Sequence, residues 1–439
     1  MAALAVGMLL FTTACGSSST PEQGGVITCV PAPPGDMVNL SFYSWVPGMQ
    51  DVVATWNREN PNIQVTLSTG PSGPGGAYQN YSNAIKAGNA PDLMQIEYDT
   101  LPNFRIQDGV ANIGSCPGVA DAKSQFVDWT WAQTSFDEPD AAYAIPQDTG
   151  PMAFFYRKDL FEQNNIQVPT TWDGFKAAAE AIQAKGDFIT NFSSGNPGQF
   201  AAFVWQSGGK WFEGTDEGWK VELTSQKSVD IANYWQGLLD AKLISPTKTF
   251  TDEWYKAINT GQIWGWVSAV WGSETIETNA PDTAGKWAVA PMPQWTAGGN
   301  SAGNWGGSTT AVFKGSKHPA EAAKFAIWLN TSTEALTMLN AEGGLYPATT
   351  AGQDLPALQQ PSDFFGGQDI FAVFKQASAD VDPNWIWGPV MNETYNTLTD
   401  GFGAALNGQG TLGDALGTAQ SKTLDAMDAQ AIPIVGGGS

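Results

Sequence analysis

The chain has 439 residues, and its 43 acidic and 20 basic side chains give a formal net charge of −23 at pH 7. This charge repels nucleic acid and anionic lipid headgroups, so we expect neither as a partner. The length allows two or three domains with substantial cores. A His-based metal site or a Ser-His-Asp triad would have to depend on His318, the single histidine, so we expect neither, and we predict no metal and no cofactor.

The first residues combine a short apolar run with a cysteine. The stretch MAALAVGMLLFTTACGSSST offers only about 14 residues before its polar run, fewer than the roughly 20 of a membrane-spanning helix, so we interpret residues 1–14 as a signal peptide. The small residues before Cys15 resemble the lipobox of bacterial lipoproteins. This resemblance implies that Cys15 is acylated and that residues 15–36, rich in Ser, Gly and Pro, form a flexible tether. A buried N-terminal strand with an idle cysteine is the alternative.

Two further cysteines remain once Cys15 carries lipid. Cys29 and Cys116 are then an even pair in an oxidising compartment, and we predict a disulfide between them. Both flanking segments, VITCVPAPPG and NIGSCPG, have the composition of turns, so the bond would have a structural role.

Strand and helix patterns alternate from Val38 onward. VNLSFYSW and NIQVTLST are typical of strands, and the segment between them places Val52, Val53 and Trp56 on one helical face. A helix over 78–86 and the strand DLMQIE follow. This order predicts a parallel sheet covered by helices.

The same alternation resumes after about residue 150. PTTWDGFKAAAEAIQAKG and SVDIANYWQGLLDAKLI are typical of amphipathic helices, and QIWGWVSAVWGS is typical of a buried strand that ends in Trp271. HPAEAAKFAIWLNTSTEALTMLNAEGG predicts a pair of helices closed by two glycines.

The chain is unusually rich in aromatic residues, with 19 Trp, 10 Tyr and 22 Phe. A buried indole N–H needs a partner, so ordinary cores use Leu and Ile more than Trp. So many tryptophans beside few charges indicate flat apolar surfaces flanked by polar groups, as the faces of a sugar ring require.

Several segments, taken in order, resemble the family 1 extracellular solute-binding proteins of ABC importers, which include maltose-binding protein. They are MQDVVATWNRENPNIQV, AGNAPDLMQIEYDTLPNF, YAIPQDTGPMAFFYRKDLFEQNNIQVPTTWDGF, INTGQIWGWVSAVWGS and NWGGSTTAVFKGSKHPAEAAKFAIWL. The resemblance implies an α/β, two-lobed periplasmic-binding-protein-like fold of type II. Each lobe would be a mostly parallel sheet flanked by helices, and the chain would cross the hinge more than once, near 147–151, 305–310 and 363–376.

These crossings divide the chain into two discontinuous lobes. We predict an N-terminal lobe from 37–147 plus 310–370 and a C-terminal lobe from 151–305 plus 376–432. The ligand would lie in the cleft between the lobes, against strand ends that face it.

The resemblance also selects candidate aromatic residues for binding. Trp271 matches the position where the family stacks an aromatic ring on sugar, and Tyr346 lies in a segment that often lines the cleft. Trp305 precedes Gly306 and Gly307, where missing side chains would let a ligand approach the backbone. The alternative for each is a structural role in the core or hinge.

Two further tryptophans are candidates by their spacing, because Trp385 and Trp387 would share one face of a strand. That face would either line the cleft or pack in the core.

Candidate polar residues follow the strand DLMQIE and precede the first crossing. Glu97, Tyr98 and Asp99 lie where relatives place a carboxylate that accepts hydrogen bonds from sugar hydroxyls. Asp148 has a similar position at the hinge, and Trp45, which closes the first strand, is a candidate by position only. The alternatives are solvated charges for Glu97 and Asp99, and a turn residue for Asp148.

Together these features predict a monomeric binding protein, not an enzyme, lipid-anchored on the extracellular face of the cell membrane and without other membrane contact. It would capture a carbohydrate, in the first place an oligosaccharide, and deliver it to the transmembrane subunits of an ABC permease. Glycerophosphodiesters and polyamines are alternative ligands, although the chain has only three arginines to bind an anion. A secreted glycoside hydrolase that pairs Glu97 with Asp148 is the alternative from another class.

Overall fold

The structure, a computed structural model, describes residues 27–136 and 138–436. Its strands are β1 (Val38–Tyr43), β2 (Ile63–Ser68), β3 (Leu93–Glu97), β4 (Ile145–Pro146), β5 (Met152–Arg157), β6 (Phe212–Thr215), β7 (Gly218–Val221), β8 (Gly265–Ala269), β9 (Trp287–Pro291) and β10 (Ser308–Val312). Its α-helices are α1 (Met49–Glu59), α2 (Tyr78–Ala87), α3 (Leu101–Ile106), α4 (Val119–Ala122), α5 (Asp128–Ser135), α6 (Lys158–Gln163), α7 (Trp172–Gln183), α8 (Pro197–Gln206), α9 (Gln226–Asp240), α10 (Asp252–Thr260), α11 (Gly272–Asn279), α12 (Pro319–Thr331), α13 (Thr333–Gly343), α14 (Ile370–Ala379), α15 (Met391–Leu406) and α16 (Leu412–Ala429). Short 3-10 turns cover Lys123–Gln125, Pro281–Thr283, Gly352–Asp354 and Pro356–Gln359, and Gly73–Ala77 form a π-helical turn.

The first lobe is built on a five-stranded sheet with the order β2-β1-β3-β10-β4. β1 pairs in parallel with β2 and β3, as the alternating pattern predicts. β10 returns from the other lobe and pairs antiparallel with β3 and β4, placing Ser308 opposite Glu97. Helix α1 buries its predicted face of Val52, Val53 and Trp56, so the strand–helix–strand order at the start of this lobe is confirmed.

The second lobe differs from the mostly parallel arrangement expected of it. Its three-stranded sheet has the order β8-β5-β9, and β5 runs antiparallel to both neighbours. β5 follows the hinge directly, with no helix of this lobe before it. β8 and β9 each follow a helical segment that brings the chain back to the sheet in the opposite direction. Parallel pairing occurs here as isolated bridges, at Phe188 with Ile263 and at Asn191 with Ser245.

The chain passes between the two sheets at 147–151, between β4 and β5, and again before β10. Residues 351–369, assigned to the first lobe by the sequence, instead pack on the second sheet. The Phe365 ring lies 6.0 Å from that of Phe155 in β5, and the Gln368 side chain bonds to both backbone groups of Val289 in β9. The third crossing therefore lies near residue 350, because the apolar residues after it have their partners in the second lobe.

An N-terminal strap, residues 27–36, is fastened to the first lobe. Cys29 and Cys116 form a disulfide, and the Ala32 N–H donates to the buried carboxylate of Glu321 over 2.6 Å. The predicted signal peptide and the acylated Cys15 lie outside the described residues. Within 27–136 and 138–436, no helix combines the length and apolarity needed to cross a membrane, and no cluster of side chains is suited to hold a metal.

Candidate functional site

A cavity of about 320 Å³ lies where the two lobes meet. The first lobe contributes the end of β3 and the residues after it, and the second lobe contributes the start of α8 and one face of α15. The hinge segment 304–307 completes the lining. Six of the predicted ligand-binding residues line this cavity, namely Glu97, Tyr98, Asp99, Trp305, Gly307 and Trp387.

The first-lobe side of the cavity, Glu97 and Asp99, is acidic and is called the acidic wall below. β3 is buried up to Ile96, and Glu97 is the residue where it emerges at the cavity. The Tyr78 hydroxyl donates to the Glu97 carboxylate over 2.8 Å and accepts from the Glu97 N–H over 2.9 Å. Thr100 donates to Asp99 over 3.0 Å. These bonds hold strong hydrogen-bond acceptors at the edge of the cavity.

Burial raises the pKa of Glu97, and the neighbouring negative charge of Asp99 raises it further. Burial also raises the pKa of Asp99, although its bond from Thr100 opposes the shift. A carboxyl group removed from water favours its neutral form. Both groups therefore stay uncharged to a higher pH than exposed carboxyls do.

Asp148 does not line the cavity but fastens the hinge beside it. Its carboxylate accepts from the backbone N–H of Ser308 over 2.9 Å and also from the Ser308 hydroxyl. Burial raises the pKa of Asp148 to about 6 against these opposing bonds. The role is that of a structural residue that joins the first and second crossings.

Gly307 is required by the backbone itself. Its φ of +95° is a left-handed conformation, and a Cβ there would lie 2.8 Å from the Asp148 carbonyl oxygen and 3.0 Å from the Tyr98 ring. Only glycine allows the hinge to pass this close to β3.

The opposite side of the cavity is aromatic. The Trp305 and Trp271 rings meet edge to face, with centroids 4.7 Å apart and an angle of 70° between the planes. The Trp271 indole N–H donates to the Trp305 carbonyl oxygen over 3.1 Å. Both rings are half-buried. Trp305 lines the cavity and Trp271 supports it from the start of α11, so we call this pair the aromatic wall.

Helix α15 contributes polar residues that the sequence reasoning did not select. Asn392, Tyr395, Asn396 and Thr399 line the cavity. Their spacing of three, four and seven residues places them on one helical face. A polar stripe opposite an apolar face is visible in the sequence of this helix, and it could have identified these residues as candidates.

Asn196, just before α8, and Gly198, in its first turn, were also missed. Asn196 and Gly198 line the cavity, and a Cβ on Gly198 would lie 3.1 Å from the indole nitrogen of Trp305. The absent side chain leaves room beside the indole edge.

Three predicted residues lie elsewhere. Trp385 is 1 % exposed and stacks on Trp205 with centroids 5.2 Å apart, so it belongs to the core of the second lobe. Tyr346 is buried and stacks on Phe371. Trp45 is half-buried against Tyr78, next to the acidic wall but not on the cavity surface. Trp385 and Tyr346 therefore pack on other aromatic rings of the protein and do not line the cavity.

Two α/β lobes with a solute-sized cavity at their hinge are the architecture of a protein that binds a small molecule between its lobes. The family model described as bacterial extracellular solute-binding protein matches residues 44–335, and the chain belongs to this family. The fold is the two-lobed periplasmic-binding-protein type that the motifs implied, and the protein is a binding protein rather than an enzyme.

Two similar proteins have been solved with bound disaccharides, and a third relative is named for its ligand. The galacto-N-biose/lacto-N-biose I-binding protein of the ABC transporter of Bifidobacterium longum, in complex with lacto-N-biose, is 28 % identical with a TM-score of 0.82, over 92 % of this chain and 100 % of that one. An ABC-transporter-associated binding protein of B. animalis subsp. lactis Bl-04, in complex with β-1,6-galactobiose, is 28 % identical with a TM-score of 0.76, over 91 % and 100 %. The lactose-binding protein of Rhizobium radiobacter is 28 % identical over 327 residues, 71 % of this chain and 76 % of that protein.

Proposed function

We propose that this protein captures a carbohydrate in the cavity between its lobes and delivers it to the transmembrane subunits of an ABC importer. The observation that carries the proposal is the pairing of two unlike walls around one cavity. Trp305 presents a flat indole, and Glu97 and Asp99 present carboxyl oxygens. A sugar ring has apolar faces and hydroxyl edges, so one ring can satisfy both walls at once.

The binding partners of similar proteins support this chemistry. Lacto-N-biose and β-1,6-galactobiose are bound in two similar structures, and a third relative is named for lactose. All three are disaccharides, and a disaccharide or longer sugar is the ligand we propose here.

Capture follows from the position of the cavity between two lobes. A ligand that contacts Asp99 and Tyr395 touches both lobes, so it binds better when the lobes are closed and shifts the population toward that form. The closed form is then what the permease would distinguish from the empty receptor.

The protein acts outside the cell, as the extracellular solute-binding family does. We further propose that it works as a monomer held at the cell surface by lipid on Cys15. This proposal is supported by the sequence around Cys15 and by the fastening of the strap to the first lobe. Mass spectrometry of the membrane fraction tests it, because an acylated Cys15 as the first residue is expected, and an unmodified or retained N-terminus would contradict it.

Isothermal titration calorimetry tests carbohydrate binding directly. Lactose, lacto-N-biose, β-1,6-galactobiose and an arabinooligosaccharide are titrated into the full chain, and at least one is expected to bind with a one-to-one stoichiometry. A ligand at 100 times its Kd also raises the free energy of unfolding by about 2.7 kcal/mol, which a thermal shift detects. The absence of both signals across a wider panel of oligosaccharides would contradict the proposal.

One observation favours a second candidate, a cationic solute such as a polyamine. Among the described residues that line the cavity, Glu97 and Asp99 are acidic and none is Lys, Arg or His. Titration of spermidine at two salt concentrations separates the two candidate functions. The affinity for an ion-paired ligand falls strongly with added salt, whereas the affinity for a neutral sugar does not. The same lining argues against glycerophosphodiesters, whose phosphate would face two carboxyl groups.

A further inference from the structure

Phe250 combines two unusual features in the turn before α10. Its side chain is 44 % exposed, although Phe is normally buried. Its φ is +63°, a left-handed conformation that is strained for a non-glycine residue. Backbone strain of this kind persists only where the surroundings enforce it, and it concentrates at ligand sites.

The turn is enforced by bonds to the loop that lines the cavity. Thr249 is buried, its N–H donates to the Ser193 hydroxyl over 3.3 Å, and its own hydroxyl accepts from the Asn196 side chain. Asn196 lines the cavity. Phe250 is therefore fixed relative to the binding site and not merely displayed on a loose loop.

The Phe250 ring continues the aromatic wall. Its centroid lies 6.2 Å from that of Trp271, whose own ring lies 4.7 Å from Trp305. Trp254 and Trp266 also contact the Phe250 ring edge to face, with ring centroids 6.0 and 5.9 Å away. Trp305, Trp271 and Phe250 thus contact one another in sequence, beginning at the cavity lining, and the last of the three rings keeps much of its surface exposed.

We propose that Phe250 is a second platform for a sugar ring, one that lies outside the cavity occupied by the first ring. The inference rests on the proposed carbohydrate function and adds to it a requirement for length: ligands with two or more rings contact Phe250, and monosaccharides do not. An exposed ring that is rigidly held loses little conformational freedom when a sugar stacks on it. Little of the binding free energy of the contact is therefore spent on ordering the ring.

Phe250→Ala tests the proposal by calorimetry with lactose, lacto-N-biose and β-1,6-galactobiose against galactose. We expect the affinity for the disaccharides to fall by about three- to tenfold, the range of one aromatic contact, and the affinity for galactose to stay unchanged. Galactose binding too weak for direct titration is measured by displacement of the disaccharide. Trp295→Ala, which removes another partly exposed ring of the second lobe, is the matched control and should change neither affinity.

Two further variants separate the ring from the backbone. Phe250→Gly also lacks the ring but accepts a positive φ, so it should lose disaccharide affinity as Phe250→Ala does while remaining folded. Phe250→Tyr should bind as the unmodified protein. The proposal is overturned if Phe250→Ala binds disaccharides normally, or if it weakens galactose and disaccharides equally. An unmodified protein that binds no carbohydrate overturns the proposed function as well, so the two failures are distinct.

Discussion

The two walls of the cavity are built from different interactions. The acidic wall is positioned by directed hydrogen bonds, from Tyr78 to Glu97 and from Thr100 to Asp99. The aromatic wall is positioned by ring contacts, with the single bond from Trp271 to the Trp305 carbonyl oxygen. The difference suggests a division of roles that the variants below test, in which the acidic wall would orient the ligand and the aromatic wall would supply buried area. Neither lobe carries a complete site.

Removing the aromatic wall is the most severe test of this division. Trp305→Ala deletes the indole that lines the cavity, and we expect a loss of about 2 to 4 kcal/mol in binding free energy, the range of a central aromatic hot spot. Calorimetry with the best disaccharide measures the loss. Trp305→Phe keeps a flat ring and should lose less, and an affinity unchanged in Trp305→Ala would show that the aromatic wall does not contact ligand.

The carboxyl groups predict a second, pH-dependent effect. An exposed Asp has a pKa near 3.9, and burial raises that of Asp148 to about 6. Between those values the folded state holds more protons than the unfolded state, so the free energy of unfolding falls as the pH rises from about 4 to about 6. The change attributable to Asp148 is about 2 kcal/mol after allowance for its partial contact with solvent.

Asp148→Asn should flatten this part of the profile, measured by urea unfolding at several pH values. Part of the slope should remain, because burial raises the pKa of Glu97 and Asp99 in the same direction. Asp216→Asn, in the exposed turn between β6 and β7, is the control. A profile that rises over this window, or one that Asp148→Asn leaves unaltered, is incompatible with a buried carboxyl group at the hinge.

The hydrogen bonds of the acidic wall give a third test. Tyr78→Phe removes the partner of both the Glu97 carboxylate and the Glu97 N–H, and a lost buried partner costs about 1 to 2 kcal/mol in the free energy of unfolding. Because Glu97 loses its fixed orientation, disaccharide affinity should fall as well. Tyr43→Phe removes an exposed hydroxyl bond to Pro71 and should leave the affinity unchanged. Equal behaviour of the two variants would mean that Tyr78 does not position Glu97.

The smallest expected effect concerns the space between the walls. In Gly198→Ala the added methyl group would lie 3.1 Å from the Trp305 indole nitrogen and 3.5 Å from the Tyr395 hydroxyl. We expect a two- to fivefold loss of affinity, under about 1 kcal/mol, with little change in stability. Gly237→Ala, in α9, meets nothing within 4 Å and serves as the control. A gain in affinity would indicate that the methyl group fills a gap against the ligand.

The sequence predicted the local elements better than their partners. The alternation from β1 to β3 follows from side-chain periodicity, which is local, so it was accurate. The third crossing was predicted too far along the chain. The local sequence pattern does not show that the Phe365 ring packs on Phe155 in β5, over 200 residues earlier. The antiparallel second sheet is a long-range property of the same kind.

The tryptophans show the same limit within the site. Trp385 and Trp387 were expected to share a face as strand residues, but the structure places no strand there. Their side chains therefore do not share a face. The Trp385 ring lies in the core against Trp205, and Trp387 lines the cavity. Residue type and spacing identified a set of aromatic candidates, and only the three-dimensional packing assigns each to core or cleft.

The disulfide of the strap links the N-terminal end of the described chain to one lobe only. The disulfide from Cys29 to Cys116 makes the N-terminal end of the described chain a covalent part of the first lobe. Any restraint applied at that end therefore acts on the first lobe directly and reaches the second only through the hinge. In a receptor tethered at that end, the acidic wall would stay with the anchored lobe, and the aromatic wall would move toward it as the cleft closes.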